Sequence, residues 1–204
     1  MKTLCLGGSF NPIHHGHLIC ARSVAETLGY EQILLIPSGQ PPHKTGDMEL
    51  APADDRLKMA VLAVSAHNNA SQGTHPIFDV SDVELTQIGP SFTIGTARIL
   101  KRKGFSEVHW LIGADMLNYL PNWHEAATLI REVKFVIIGR PGTEFAWDSL
   151  PEDFAVLKSN VVAAPRIDIS ATDIRRRVRA GLSIDFLTPA PVVEYIRSRR
   201  LWKS

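Results

Sequence analysis

The sequence predicts an α/β fold: a parallel sheet with helices on both faces, followed by a C-terminal helical segment from about residue 165. Short apolar runs such as QILLIP (32–37) and VKFVIIG (133–139) are typical of buried strands. The segments between such runs carry apolar residues at helical spacing. Because buried strands that alternate with helices indicate a parallel sheet covered on both sides, we expect a single domain over residues 1–204.

Helices are predicted where the helical pattern lies between capping signals. The first helix ends at Gly29, a residue typical of a C-cap. A second begins at Asp54 and Asp55, since acidic side chains stabilise a first helical turn. A third, over 91–104, begins with a capping serine and ends at a glycine. The same reasoning predicts further helices after Trp123, over 170–181 and over 188–200. Short apolar or alternating runs predict further strands at 4–6, 77–85, 108–113 and 160–164.

The composition sets limits on partners and location. The chain has 204 residues, 45% hydrophobic and 21% charged, as in an ordinary globular protein. A formal net charge of +1 gives no overall electrostatic attraction to nucleic acid or to a membrane, and no apolar run is long enough to span one. Cys5 and Cys20 lack CxxC spacing, so we expect two buried, reduced thiols. Together with the absence of a signal-peptide pattern, this predicts a cytoplasmic protein.

Ligands of open parallel sheets bind outside the carboxyl ends of the strands. In this sequence, that rule places the loops 7–17, 37–46, 113–124 and 139–142 at one rim. The helix that begins near residue 170 is expected to reach the same rim. The sequence therefore predicts a binding site assembled from both ends of the chain.

The stretch GGSFNPIHHGHL (7–18) joins the first strand to the first helix. Gly7 and Gly8 permit a close approach to the backbone, and the amides at the helix start favour an anion. His14 and His17 are three residues apart and can face one ligand, whereas His15 is expected to point elsewhere. Two other interpretations stay open here: a metal site, for which no further ligands stand at suitable spacing, and a turn-rich junction with surface histidines.

A second motif, ISATDIRRR (169–177), begins another helix. The hydroxyls of Ser170 and Thr172 at the helix start, with Arg175 in the next turn, form a pattern suited to a triphosphate. The alternative is an ordinary capped helix with a solvated basic face. The two motifs, at opposite ends of the chain, support each other.

Both motifs resemble signatures of the nucleotidyltransferase superfamily. FNPIHHGH is similar to phenylalanine-aspartate-proline-x-histidine-x-glycine-histidine, with Asn11 in place of the aspartate. ISATDIR is similar to isoleucine-serine-serine-threonine-x-isoleucine-arginine, with Ala171 in place of the second serine. The resemblance extends over nearly the whole chain to the bacterial nicotinate-nucleotide adenylyltransferases, although Phe92 and Gly95 depart from that family's pattern in SFTIGT (91–96).

The resemblance implies a Rossmann-like fold and the transfer of AMP from ATP to nicotinate mononucleotide by direct in-line attack, giving deamido-NAD and pyrophosphate. It implies catalytic roles for His14, His17 and Arg175, and magnesium that is bound mainly by ATP and water rather than by protein ligands. The implied ATP contacts are Gly7, Gly8, Ser9, Phe10, Gly113, Asp115, Ile169, Ser170 and Thr172. The implied contacts to the mononucleotide are Lys44, Thr93, Trp123, His124 and Arg140.

Several of these residues have plainer interpretations. Asp115, expected to bind the ribose, also suits a helix N-cap. Trp123, expected to stack on the cationic pyridine ring, also suits a half-buried core position. Lys44 and Arg140 also suit an exposed surface.

Other functions remain in competition. Adenylyl transfer to nicotinamide mononucleotide or to phosphopantetheine fits the same end motifs, because these motifs serve ATP rather than the acceptor. A non-catalytic nucleotide-binding regulator is a further alternative, for which Asn11 is the supporting departure. A nicotinamide-dependent oxidoreductase is disfavoured, since GGSFNP is not GxGxxG and no acidic residue ends the second strand. Homo-oligomerisation is left open.

Overall fold

A computed structural model describes residues 1–40, 49–71, 76–105, 107–139, 145 and 147–203. The predicted contacts Lys44 and Arg140 lie outside the described residues. Among the described residues, no helix combines the length and the apolar character needed to cross a membrane.

Six strands form one sheet in the order β3-β2-β1-β4-β5-β6, and every neighbouring pair is parallel. This confirms the predicted parallel sheet. The strands are β1 Thr3–Gly8, β2 Gln32–Pro37, β3 Ile77–Val80, β4 His109–Gly113, β5 Lys134–Gly139 and β6 Val161–Ala163.

Apart from a short helix over 114–117, which was not predicted, the α-helices of the described residues follow the predicted order. They are α1 His15–Leu28, α2 Ala53–Ser71, α3 Thr93–Arg102, α4 Ala114–Leu117, α5 Ala126–Glu132, α6 Ala171–Arg179 and α7 Ala190–Arg199. Two predicted caps are present: Gly29 has φ of 66°, and the Ser170 hydroxyl accepts a hydrogen bond from the Asp173 amide at 3.1 Å. Short 3₁₀ turns at Leu120–Asn122, Trp147–Ser149 and Glu152–Asn160 complete the helical elements of the described residues.

The sheet separates two apolar layers because alternate strand residues point to opposite faces. Leu4 and Leu35 pack on one face with α1, α2, α6 and α7. Cys5 and Leu34 pack on the other face with α3 and α5. The C-terminal helices α6 and α7 therefore complete the helical layer on the first face of the sheet.

Three sequence-based expectations are wrong. The serine predicted to cap the third helix does not do so, because α3 begins at Thr93 and its N-cap is Phe92, whose side chain makes no capping bond. The strand predicted over 77–85 ends at Val80, because the Ser81 hydroxyl accepts the Val83 amide and the Asp82 carbonyl accepts the Leu85 amide, which turns the chain. Cys5 is buried as expected, but Cys20 is only half-buried, since it faces a cavity described below.

The order of strands reverses between β1 and β4. In a doubly wound sheet, the crevice at this point is the usual place for a ligand. β1 ends at Gly8 and β4 ends at Gly113, so the loops predicted to form the rim begin beside one another.

Candidate active site

A cavity of about 700 Å³ opens at the carboxyl ends of β1, β4 and β5. It brings together residues from both end motifs and from the loop after β4. The predicted site residues that line it are His14, His17, Gly113, Asp115, Ile169 and Ser170. The structure therefore joins parts of the chain that the sequence separates by more than a hundred residues.

His14 and His17 form a stacked pair on one side of this cavity. Their ring centroids are 3.6 Å apart with an interplanar angle of 22°. Phe10 and His17 form a T-shaped pair with centroids 5.2 Å apart. The His14 amide donates to His17 Nδ1 at 3.3 Å. Because Nδ1 accepts this bond, the neutral His17 ring carries its proton on Nε2, which is then a donor.

Both histidines are held in the neutral form. Burial, with a smaller contribution from His15, lowers the pKa of His14 to about 4. Burial and the neighbouring His14 lower the pKa of His17 well below its usual value. At neutral pH the pair therefore presents neutral imidazoles. In addition, the buried Nδ1 atom of His14 has no hydrogen-bond partner among the described residues.

This burial predicts a loss of stability in mild acid. The unfolded chain binds a proton at His14 below about pH 6.5, whereas the folded chain does so only near pH 4. The folded state is therefore favoured at neutral pH, and this contribution decreases as the pH falls. We expect His14 alone to lower the free energy of unfolding by about 1–2 kcal/mol between about pH 7 and pH 5. Urea unfolding at both pH values, compared with His14→Gln, measures this; an equal decrease in the variant contradicts it.

Asp115 lies in the first turn of α4, next to Gly113 at the helix start. Its carboxylate folds back over Gly113 so closely that a Cβ at Gly113 would collide with Asp115 Oδ1. The side chain is exposed and lines the cavity, and Gly113, not Asp115, holds the N-cap position. An exposed carboxylate there suits the hydroxyl groups of a sugar.

The glycines at the end of β1 accommodate the protein's own aromatic rings. A Cβ at Gly7 would lie 2.7 Å from the Trp110 ring, and one at Gly8 would lie 3.3 Å from the Phe10 ring. The close approach predicted at these glycines is therefore made by the two aromatic side chains. A contact between Gly7 or Gly8 and a nucleotide stays a prediction.

Arg175 of the second motif is buried and contacts a carboxylate. Its Nε and Nη2 donate to Glu49 Oε2 at 3.1 and 2.8 Å, and its Nη1 donates to the Asn11 carbonyl at 3.0 Å. Its Nη2 also lies 3.5 Å from the Thr172 hydroxyl. The guanidinium thus ties α6 to the loop after β1, although neither Thr172 nor Arg175 is among the described residues that line the cavity.

The amide of Asn11 explains why asparagine suits this position. Its Nδ2 donates to the Glu49 carbonyl at 2.9 Å, and its Oδ1 accepts the Ala51 amide at 2.9 Å. Asn11 is 1% exposed. An aspartate in the same geometry would place a buried carboxylate oxygen against the Glu49 carbonyl oxygen, which is unfavourable.

The residues predicted to hold a pyridine ring lie on a neighbouring surface. The rings of Phe92 and His124 stack with centroids 4.3 Å apart, and Thr93 follows Phe92 at the start of α3. Trp123 is half-buried and packs on Phe135 in a T-shaped arrangement. Its Nε1 atom is buried without a hydrogen-bond partner among the described residues. Thr93, Trp123 and His124 are thus grouped, but they are not among the described residues that line the cavity.

Comparisons with known proteins agree with this geometry. The family model described as cytidylyltransferase-like matches residues 5–177. A protein of Roseiflexus sp. (strain RS-1) named "Probable nicotinate-nucleotide adenylyltransferase" is 38% identical over 200 residues, covering 97% of this chain and 96% of the relative. One of the same name from Saccharopolyspora erythraea is 37% identical over 199 residues, covering 97% and 88%. The chain belongs to the nicotinate-nucleotide adenylyltransferase family of cytidylyltransferase-like proteins.

Solved structures confirm the Rossmann-like fold of this family member. The nicotinic acid mononucleotide adenylyltransferase of Plasmodium falciparum, complexed with NaAD, matches with a TM-score of 0.73 at 20% identity, covering 99% of this chain and 98% of the other. The same protein complexed with APC matches with a TM-score of 0.69 at 19% identity, covering 99% and 98%. The resemblance found in the two end motifs is thereby confirmed for the family and the fold.

Sequence reasoning missed several site residues of this adenylyltransferase family member. Asn118 lines the cavity one helical turn after Asp115, a spacing that could have revealed it. Cys20 lines it one turn after His17, for the same reason. Arg56 does not line the cavity but donates to the Ser9 and Gly39 carbonyls in two of the rim loops, and it was also missed. A charged residue in register with the apolar Met59 and Ala60 of α2 is a signal that could have revealed it. Nothing in the local sequence around Glu49 indicates its pairing with Arg175.

Proposed function

We propose that this chain transfers AMP from ATP to the 5′-phosphate of nicotinate mononucleotide, giving deamido-NAD and pyrophosphate. The observation that carries the proposal is the cavity that brings the stacked His14–His17 pair and Ser170 to the same site as Asp115. The names of the full-length relatives support the choice of reaction.

The chemistry needs positioning more than it needs a nucleophilic side chain. A phosphate monoester has a second pKa near ~6, so the attacking oxygen is largely ionised at neutral pH. That oxygen forms a bond to the α-phosphorus of ATP as the bond from that phosphorus to the bridging oxygen breaks, and the electron pair leaves with pyrophosphate. The protein has to hold two anions together and stabilise the charge that develops on the leaving group.

The described residues suit these tasks. His17 would donate from Nε2 to an α- or β-phosphate oxygen, beside His14, and both rings can do so without carrying a charge of their own. Ser170, Thr172 and Arg175 would hold the β- and γ-phosphates, and Asp115 would bind the ribose. Gly7, Gly8, Ser9 and Ile169 would contribute surface around the nucleotide. Phe10, which is 2% exposed, would act through its packing on His17 rather than by direct contact.

Magnesium enters this proposal as a companion of ATP. In the described ranges, no three His, Cys, Asp or Glu side chains converge as ligands for a metal ion. No step above depends on a metal ion held by the protein. Bound to triphosphate oxygens and water, the ion would neutralise phosphate charge.

The pyridine ring is proposed to lie against Trp123, with Thr93 and His124 beside it. Lys44 and Arg140 are retained as proposed contacts to the mononucleotide.

Stacking of a cationic ring on an indole contributes about 1–2 kcal/mol. We therefore expect Trp123→Ala to raise the KM for nicotinate mononucleotide about tenfold and leave the KM for ATP nearly unchanged. Tyr119→Ala, which removes an exposed aromatic ring from the same turn, is the matched control. Equal increases in both KM values for Trp123→Ala contradict this placement.

The function is tested by pyrophosphate release from ATP and magnesium with each of three acceptors: nicotinate mononucleotide, nicotinamide mononucleotide and phosphopantetheine. We expect a strong preference for the first. A preference for another acceptor replaces the acceptor in the proposal, because the end motifs serve ATP in all three reactions. No release with any of the three, together with measurable ATP binding, favours the non-catalytic regulator instead.

A further inference from the structure

A carboxylate of the chain itself contacts the arginine that the proposed function assigns to the phosphates of ATP. Glu49 Oε2 accepts two hydrogen bonds from Arg175, and Glu49 Oε1 accepts one from Arg179, one turn further along α6. The Arg175 side chain is 8% exposed and the Glu49 side chain is 40% exposed. The more accessible member of this ion pair is therefore the acid.

The contact has the geometry of anion binding. A guanidinium that donates from Nε and Nη2 toward one group presents the fork with which arginine binds either carboxylate or phosphate. Arg175 Nη1 is held by the Asn11 carbonyl, which fixes the plane of the fork. The Glu49 carboxylate thus takes up the two donors of Arg175 that the proposed function assigns to phosphate.

The backbone and the side chain of Glu49 are held in different ways. The Glu49 carbonyl accepts hydrogen bonds from Asn11 Nδ2 at 2.9 Å and from Trp202 Nε1 at 2.8 Å. These bonds do not involve the carboxylate. Loss of the carboxylate contact with Arg175 therefore does not require these two backbone bonds to break.

We propose that Glu49 is a specificity-determining residue of the anion site, where its carboxylate stands in for a phosphate until a polyphosphate replaces it. This inference rests on the phosphate-binding role of Arg175 in the proposed function. A ligand that reaches Arg175 has to displace the carboxylate, whereas a nucleoside monophosphate does not extend that far. Glu49 thus weakens the binding of anions to Arg175, and only a strongly charged polyphosphate competes well with its carboxylate.

The test is a set of dissociation constants, measured by calorimetry without an acceptor, for ATP, pyrophosphate and AMP. Glu49→Gln keeps the backbone contacts and the side-chain length but removes the charge. Because the pair is partly exposed, we expect about fivefold tighter binding of ATP and pyrophosphate and an unchanged constant for AMP. Unchanged or weaker ATP binding overturns the inference, as does an equal gain for AMP.

Two further variants separate a local effect from a general one. Asp185→Asn removes a negative charge whose partner is Arg197, away from Arg175, and we expect it to leave all three constants unchanged. In an Arg175→Ala background, Glu49→Gln should lose most of its gain, and a full gain there overturns the inference. If Arg175→Ala alone binds ATP as tightly as the wild type, Arg175 does not bind phosphate and that part of the proposed function is wrong. This result differs from one in which Arg175→Ala weakens ATP binding but Glu49→Gln does not strengthen it, which overturns only the inference about Glu49.

Discussion

Replacement of His17 by alanine is expected to lower the turnover number about 10²–10³-fold, the usual loss when one preorganised donor to a developing oxyanion is removed. His17 suits this role because its Nδ1 accepts the His14 amide, so that Nε2 carries the donating proton. Stacking on His14 and the T-shaped contact with Phe10 hold the ring in place before a ligand arrives. The donor therefore needs little reorganisation during the reaction.

The measurement is steady-state pyrophosphate release with saturating substrates, combined with thermal unfolding. His17→Ala leaves the His14 amide without its acceptor and removes the packing of the ring on His14 and Phe10. We expect this to lower the free energy of unfolding by about 1–3 kcal/mol and the variant to stay folded. His15→Ala is the matched control, since His15 lies in the same turn but lines a different groove, between α1, α2 and the start of α7. Near-full turnover of a folded His17→Ala variant, or an equal loss for His15→Ala, would contradict the assignment.

The features that the sequence predicted correctly depend on local patterns. The buried runs of β2 and β5, the left-handed C-cap at Gly29 and the serine cap of α6 each depend on a few neighbouring residues. The positions of His14, His17 and Asp115 follow from these elements, because strand ends in a parallel sheet share one rim. A cavity lined by all three was therefore predictable without any knowledge of side-chain contacts.

The features that the sequence did not reveal depend on distant partners. Arg175 has the expected position on α6, but its contact with Glu49 joins residues 126 positions apart. The exchange of aspartate for asparagine at position 11 becomes intelligible only when the backbone atoms of Glu49 and Ala51 are placed beside it. Spacing along the chain identifies the residue type at a site, whereas the choice of partner depends on the packed structure.

Arg56 is a further case in which the structure supplies the partners. This side chain of α2 is 1% exposed. Its Nε donates to the Ala51 carbonyl at 3.0 Å, its Nη1 to the Ser9 carbonyl at 2.9 Å and its Nη2 to the Gly39 carbonyl at 3.1 Å. Burial lowers the pKa of the guanidinium, and the nearby Glu84 carboxylate partly counters that effect. Arg56 thus joins the loops that follow β1 and β2, two of the loops at the rim of the candidate site.

Replacement of Arg56 by methionine is therefore expected to lower the free energy of unfolding by about 3–5 kcal/mol, and the melting temperature by roughly 10 °C. Three hydrogen bonds from a charged donor are lost, and the carbonyls of Ser9, Gly39 and Ala51 lose a buried partner that methionine cannot replace. Lys58→Met is the matched control: Lys58 lies on the exposed face of α2, where we expect a change within about 0.5 kcal/mol. Denaturant unfolding of both variants measures the two changes in the free energy of unfolding. Similar small changes in the two would mean that the carbonyls find other donors and that Arg56 does not hold the rim loops together.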